Sequence, residues 1–317
     1  MKAIRIHKKG GPEQLIYEDA PKPSLQPGDA LVRVQACAIT PTELTWDETY
    51  TTRTGASRLP TIPGHEFSGT IESVPATESE LKSGDAVYAL ADFPRDGAAA
   101  DYIAIRAADL ARKPKNLDFT QAAAVPLSAL TTWQAFFDHA KLTKGQRVLI
   151  HGAAGGVGSY AIQIAHWAGA HVTATARAEN AAFLRSLGAD EVLDYTAMRF
   201  EEKVRDLDAV LDTIGGDTLD RSWQVLRRGG TLVSIVAPVP ADQAASSGVR
   251  GVFFIVAPSR AQLNEIARLI EAGTVRVIVD ATYPLAEARE AFERALRRHN
   301  RGKIVLQVAE QTAAARI

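Results

Sequence analysis

The residues whose types and spacing could do chemistry lie first in one stretch, KGQRVLIHGAAGGVGSYAIQIAHWAGAHVTAT, residues 144–175. A short apolar run, Val148-Leu149-Ile150, ends at His151. Gly152, Ala153, Ala154, Gly155, Gly156, Val157 and Gly158 follow and open a helical pattern. Ala153-x-Gly155-x-x-Gly158 is the dinucleotide fingerprint with alanine where the first glycine usually stands. Binding a pyrophosphate asks for small residues here, because the backbone must turn sharply and approach the phosphates closely. The helix start then offers free N–H groups and the positive end of its dipole. Gly158 is expected to let the helix pack close to a sheet. A tight turn with no ligand would use the same glycines. The strand before, helix after and second strand beyond are the context that favours a dinucleotide.

The type of dinucleotide is read about 20 residues further on. NAD enzymes usually place a carboxylate at the end of the second strand, to hold the ribose 2′-OH. Here the chain reads Thr173-Ala174-Thr175-Ala176-Arg177, and no carboxylate follows until Glu179. The guanidinium fork of Arg177 suits a 2′-phosphate. NADPH is therefore the expected cofactor. The bland alternative for Arg177 is a solvated residue at a helix start.

The elements around this turn alternate. Apolar runs at 148–150, 171–176, 190–193, 208–211, 231–236 and 252–256 read as strands. Residues 157–167, 181–187 and 219–226 read as helices between them. That rhythm implies a parallel sheet with helices on both faces. The first third differs. Residues 1–10, 30–36, 66–74 and 86–90 look like short strands punctuated by prolines at 21, 23, 27, 60 and 63. In 30–36, Val32, Val34 and Ala36 fall on one face and Leu31, Arg33 and Gln35 on the other, the pattern of an antiparallel, barrel-like domain. Residues 260–271 and 285–297 read as amphipathic helices. Residues 304–308 read as a last strand that could return to the first domain, and 309–317 as a loose tail.

Composition bounds the rest. The 317 residues exceed one ordinary domain, and 46 % hydrophobic with 23 % charged residues is ordinary for globular proteins. A net charge of −1 offers no broad basic field, so nucleic acid is not an expected partner. No stretch approaches the ~20 apolar residues that span a bilayer, so no membrane partner is expected. The lone Cys37 excludes an internal disulfide and a Cys-rich zinc lobe. No signal-peptide pattern opens the chain. A soluble, cytoplasmic protein is expected.

Several segments together resemble the zinc-independent, quinone oxidoreductase-like branch of the medium-chain dehydrogenase/reductase superfamily. They are GAAGGVG, AAAVPLSALTTWQAF (122–136), LPTIPGHEFSGTIESV (59–74), GADEVLDY (188–195) and NRGKIVL (300–306). The resemblance runs nearly end to end. It implies an α/β fold: a GroES-like β-barrel domain, 1–122 and 260–317, plus an inserted Rossmann-fold doubly wound parallel sheet domain, 123–259. The active site is then expected in the cleft between them. The resemblance also implies a homo-oligomer, with a dimer favoured. It adds softer cofactor contacts at Thr132 and Tyr195, and at Val236, Ala237, Phe254 and Val256, the last four of which plain strand packing would explain as well. Lys303 recurs in the family pattern and is expected at most to close the cleft.

Zinc enzymes of the superfamily hold their metal with a Cys, the His of GHE and a later Cys or Asp. The chain keeps His65 and Glu66, but Thr40 falls at the first cysteine position and Leu127-Ser128-Ala129 at the third. Three protein ligands are not assembled, so no metal is expected and His65 reads as structural. Without a Lewis acid, an already polarised acceptor suits the site. The expected function is NADPH-dependent hydride transfer to a small-molecule quinone or α,β-unsaturated carbonyl. Thr40, Glu43 and Tyr50 are the catalytic candidates, with the Tyr50 phenol the proton donor by type. The branch often carries Asn and Asp near the first two, and this chain departs at both. The readings kept beside it are a 2-enoyl thioester reductase, a zinc-dependent alcohol dehydrogenase and a non-enzymatic NADPH-binding scaffold.

Overall fold

The computed structural model describes residues 1–52, 54–297 and 300–308. The expected tail, 309–317, lies outside the described residues. In chain order the strands are β1 (Lys2–Ile6), β2 (Leu15–Asp19), β3 (Asp29–Ala38), β4 (Glu66–Ser73), β5 (Ala86–Leu90), β6 (Tyr102–Arg106), β7 (Ala111–Arg112), β8 (Arg147–Ile150), β9 (His171–Ala176), β10 (Glu191–Asp194), β11 (Leu207–Asp212), β12 (Leu226–Ser234), β13 (Arg250–Phe253), β14 (Val279–Pro284) and β15 (Lys303–Gln307). They form two compact units. Among the described residues one comprises 1–127, 257–272 and 277–308; the other 128–256 and 273–276. The boundaries read from sequence stood at 122/123 and 259/260.

The first unit carries the order β14-β15-β3-β4-β5-β7, with β6 also paired to β3, and a β1–β2 hairpin. The alternation in β3 places Val32 and Val34 inside, while Arg33 is exposed. The register shifts between Val34 and Ala36, and from Ala36 onward the strand is buried on both faces. Strand β15 pairs antiparallel with β3, so the last apolar run does return to this unit. One core gathers Ile4, Ile6, Tyr50, Phe292 and Leu306, and a second Val32, Cys37, Phe67 and Ile103. Burying Phe292, 1 % exposed, stabilises the unit by about 1.5–3 kcal/mol.

The second unit is a parallel sheet of order β10-β9-β8-β11-β12-β13. Relative to its first strand that is 3-2-1-4-5-6, the doubly wound nucleotide-binding order. Strands buried on both faces appear as unbroken apolar runs, which is why Val148-Leu149-Ile150 was legible. The helix expected over 219–226 differs. It spans Gly216–Ser222, relaxes into a 3₁₀ turn over Trp223–Val225, and Leu226 already belongs to β12. Trp223 and Val225 are drawn into the sheet's core, and that burial outweighs helical periodicity. The chain enters this unit through a helix, Pro126–Trp133, continued by a π-helical stretch, Gln134–Ala140.

Candidate active site

In the second unit, β8 ends at Ile150 and the chain turns through residues 151–155 into the helix Gly156–Trp167. Gly155 is the helix N-cap and supplies no side-chain cap. Ser159 is the first residue whose N–H returns to the cap, at Gly155 O, 3.0 Å. The N–H groups of Gly156, Val157 and Gly158 precede it and have no acceptor one turn back. Ala154, Gly155, Gly156 and Val157 are half-buried, so this end is open. A Cβ on Gly158 would lie 2.4 Å from Gly152 O and 2.5 Å from Ala153 Cα. Only glycine allows that approach. Ala153 is fully buried. Thr132 is buried beneath the turn, its hydroxyl donating to Ser128 O at 3.1 Å and also lying 3.3 Å from Val157 O. These features fit a pyrophosphate held by main-chain N–H groups.

Arg177 follows the last residue of β9, and its Nε donates to the Tyr195 hydroxyl at 3.2 Å. Tyr195 is 54 % exposed. The pair joins the ends of adjacent strands, since β10 runs beside β9 with Asp194 opposite Ala176. Asp194 is a carboxylate the linear reading passed over. It accepts from Thr196 N and Thr196 Oγ1, at 2.9 and 2.7 Å, and these bonds hold its carboxyl below the usual range. Val236 and Ala237 both direct their N–H at Ser234 Oγ, 3.3 Å away. The Phe254 ring lies 4.4 Å from that of His139, and Val256 is buried. Behind the turn, His151 bonds Thr175 Oγ1 through Nδ1 at 2.9 Å and Ser222 Oγ through Nε2 at 3.0 Å. Ser222 gives its own proton to Thr218 O, 2.6 Å, so Nε2 carries the imidazole proton. Burial, with Arg221 nearby, pushes the His151 pKa down to about 3.

In the first unit, the ends of three strands bring titratable groups together. Glu66 opens β4 opposite Ala38 of β3, and Lys303 opens β15 two residues before Val305, which also faces Ala38. Lys303 reaches across β3. Its Nζ lies 2.5 Å from Glu66 Oε1, 2.8 Å from Ile39 O and 3.3 Å from Thr40 Oγ1. Glu66 Oε2 accepts from Leu127 N at 2.9 Å. Burial raises the Glu66 pKa, and Lys303 offsets part of the rise. The Glu43 Oε1 atom lies 2.8 Å from His65 Nδ1, in ion-pair range though off the hydrogen-bond direction, and accepts from Gly64 N at 2.6 Å. His65 Nε2 is 3.2 Å from Phe93 O. Gly64 has φ +92°, and a Cβ there would lie 2.4 Å from Cys37 Sγ. The turn leading to His65 therefore requires glycine.

The structure brings Thr40 and Glu43 into this group with Lys303, a residue whose partners sequence reasoning missed. It does not bring in the Tyr50 phenol. Tyr50 is 4 % exposed and packs in the core; its hydroxyl donates to Leu44 O at 2.7 Å and also lies 3.3 Å from Gly10 O. Its proton is already engaged by a main-chain carbonyl, and burial raises its pKa. The ligand set of the zinc enzymes does not fit either. Thr40 stands at the first cysteine position and Leu127-Ser128-Ala129 at the third, and Cys37 is buried against Ala38 O at 3.6 Å, so His65 has no second protein ligand beside it. Among the described residues no group of three or more His, Cys, Asp or Glu is placed to hold a metal ion.

The chain is similar to known proteins along most of its length. Residues 26–115 match the alcohol dehydrogenase GroES-like domain, and residues 187–306 match a family described as zinc-binding dehydrogenase. A probable zinc-binding oxidoreductase, mitochondrial, of Arthroderma benhamiae is 38 % identical over 91 % of both chains. The mouse NAD(P)H oxidoreductase RTN4IP1, mitochondrial, is 32 % identical over 89 % of this chain and 82 % of its own. The Arabidopsis thaliana NADPH-dependent alkenal/one oxidoreductase, chloroplastic, is 33 % identical over 96 % of this chain and 79 % of its own. The solved quinone oxidoreductase of Coxiella burnetii superposes with a TM-score of 0.90 at 29 % identity, covering 98 % of this chain and 99 % of that one. These matches correct one expectation. The Arthroderma and mouse relatives are named mitochondrial, which overturns the cytoplasmic reading. A single cysteine and the lack of a long apolar run constrain disulfides and membrane spans, not which aqueous compartment holds a protein. No helix among the described residues is long and apolar enough to cross a membrane.

Proposed function

From a chain that belongs to the medium-chain dehydrogenase/reductase superfamily, quinone oxidoreductase-like, and is an oxidoreductase with a nicotinamide cofactor, we propose an NADPH-dependent reductase of quinones or α,β-unsaturated carbonyls that works without a metal. The observation that carries this reading is the Lys303–Glu66 contact at 2.5 Å. The buried carboxylate of GHE already faces a cation, and His65 faces Glu43. Thr40 stands where a zinc enzyme has its first cysteine, so His65 lacks the three-ligand set that a catalytic zinc uses. An acceptor polarised in advance needs only hydrogen bonds to steady the oxygen that gains charge.

When bound, NADPH supplies the hydride. The turn from Gly155 to Gly158 offers N–H groups to its pyrophosphate. Arg177, with its Nε set by Tyr195, would offer its remaining donors to a 2′-phosphate. Thr40, half-buried beside Lys303, donates to the developing oxyanion. Water supplies the closing proton, since the Tyr50 hydroxyl is spent on Leu44 O. The names of the Arabidopsis and Coxiella proteins support the substrate class. We further propose a homodimer.

The test is cofactor oxidation at 340 nm with 1,4-benzoquinone, 9,10-phenanthrenequinone and a simple enone, in chelator, with NADPH and NADH in parallel. Turnover that survives chelation and prefers NADPH is expected. Turnover abolished by chelator and restored by zinc would refute the metal-free reading. Tight NADPH binding with no turnover on any acceptor would move the assignment to a thioester reductase or a binding scaffold.

A further inference from the structure

We propose that Lys303 is a positioning residue for the reduction, fixing the Thr40 hydroxyl as a hydrogen-bond donor toward the substrate oxygen. This rests on the reductase reading above and assigns a role to a residue 263 positions away in sequence.

An ammonium has N–H donors and no lone pair, while a hydroxyl has one proton and two lone pairs. In the contact of Lys303 Nζ with Thr40 Oγ1, 3.3 Å, the hydroxyl must therefore accept. Its own proton is directed away from the ammonium. Other hydroxyls of the same loop are spent differently. Thr45 donates to Thr42 O at 2.7 Å, Thr49 to Glu43 O at 2.7 Å and Tyr50 to Leu44 O at 2.7 Å. Thr40 makes no side-chain cap on the 3₁₀ turn it precedes, Pro41–Thr45, so its lone pairs are not taken by that turn's N–H groups and stay open to the ammonium.

Burial sets which side is which. Lys303 is 6 % exposed and Glu66 is fully buried, whereas Thr40 is half-buried. The cation stands on the protein side of the hydroxyl and solvent reaches the other. Glu66 Oε1 and Ile39 O hold the ammonium from two further directions, so it cannot swing away from Thr40 without leaving a buried carboxylate unpaired. A hydroxyl that accepts from a cation is polarised and donates more strongly. The chain thus places a fixed positive charge one atom behind the donor, rather than in contact with the substrate.

The experiment is a double-mutant cycle on the full chain, read as kcat and KM for quinone and enone with NADPH. Thr40→Val is expected to lower kcat by about 100-fold, the usual cost of one oxyanion donor, with little change in KM. Thr40→Ser should restore it. Lys303→Met should lower kcat similarly, and Thr40→Val/Lys303→Met should be no slower than Thr40→Val alone, because the lysine acts only through the hydroxyl. Losses that multiply in the double variant would overturn the proposal, as would a Lys303→Met enzyme with wild-type kcat. Lys303→Met leaves Glu66 buried and unpaired. Lys303→Met/Glu66→Gln therefore provides the same comparison in a neutral pair, with melting temperature and NADPH affinity confirming the fold. No turnover of any quinone or enone by the wild type would remove the reductase reading, and this proposal with it. Wild-type turnover with multiplying losses would remove the proposal alone.

Discussion

His65 and Glu43 face each other across 2.8 Å, with side chains only 2 % and 1 % exposed. Both residues read, from sequence, as candidates of different kinds, one structural and one catalytic. The structure makes them partners. Glu43 also accepts from Gly64 N, so one carboxylate anchors the turn that carries His65. Removing the carboxylate leaves the buried Gly64 N–H without its acceptor. Glu43→Ala is expected to destabilise the protein by about 1–3 kcal/mol in urea unfolding. Glu43→Gln, which can still accept from Gly64 N, should recover part of that. A kcat that falls in Glu43→Gln while the unfolding curve stays in place would instead show Glu43 acting on the substrate.

Tyr50 provides the converse test. Its hydroxyl proton goes to Leu44 O inside a packed core. Tyr50→Phe removes that bond and keeps the ring, so about 1 kcal/mol of stability should be lost. kcat and its pH profile should not move. A strong loss of kcat at unchanged stability would restore Tyr50 as the proton donor.

Arg177 should decide between cofactors. It stands at the end of β9 with Tyr195 on its Nε. Hydrogen bonds to a charged group contribute about 1.5–3 kcal/mol, so Arg177→Ala should raise the NADPH KM by roughly 10- to 150-fold. NADH should be affected little. Equal effects on both cofactors would show Arg177 supporting the adenosine site in general.

His151 makes stability depend on acid. Folding lowers its pKa to about 3, so the folded chain resists a proton that the unfolded chain takes up near pH 6.5. This contribution is complete above the unfolded value and is lost as pH falls from there toward 3. At pH 5 the loss comes to about 2 kcal/mol. Urea unfolding at pH 7 and pH 5 measures it. His151→Gln, which cannot titrate, should show a shallower drop between the two; an unchanged slope would place the acid sensitivity elsewhere.

The phosphate-binding turn was legible because its requirements are local. A fully buried strand, a run of small residues and a helix start lie within residues 148–167, and each leaves its own periodicity in the chain. The doubly wound sheet followed from the same alternation. The mixed turn after Ser222 did not, because apolar residues such as Trp223 and Val225 fit a helix and a buried corner equally well.

The active-site candidates divide along the same line. Sequence alone determined which residue types stand near the family's ligand positions, Thr40, Glu43, His65 and Glu66, and that a dinucleotide turn stands at residues 152–158. Only the tertiary structure decided what each group faces. Strand register at the end of β3 brings Lys303 to Glu66 and Thr40, while the short helix Asp47–Tyr50 turns the Tyr50 hydroxyl to a carbonyl. A side chain's type fixes how many protons and lone pairs it has. Where those point is set by partners far away in the chain, through pairing and burial that no local pattern records.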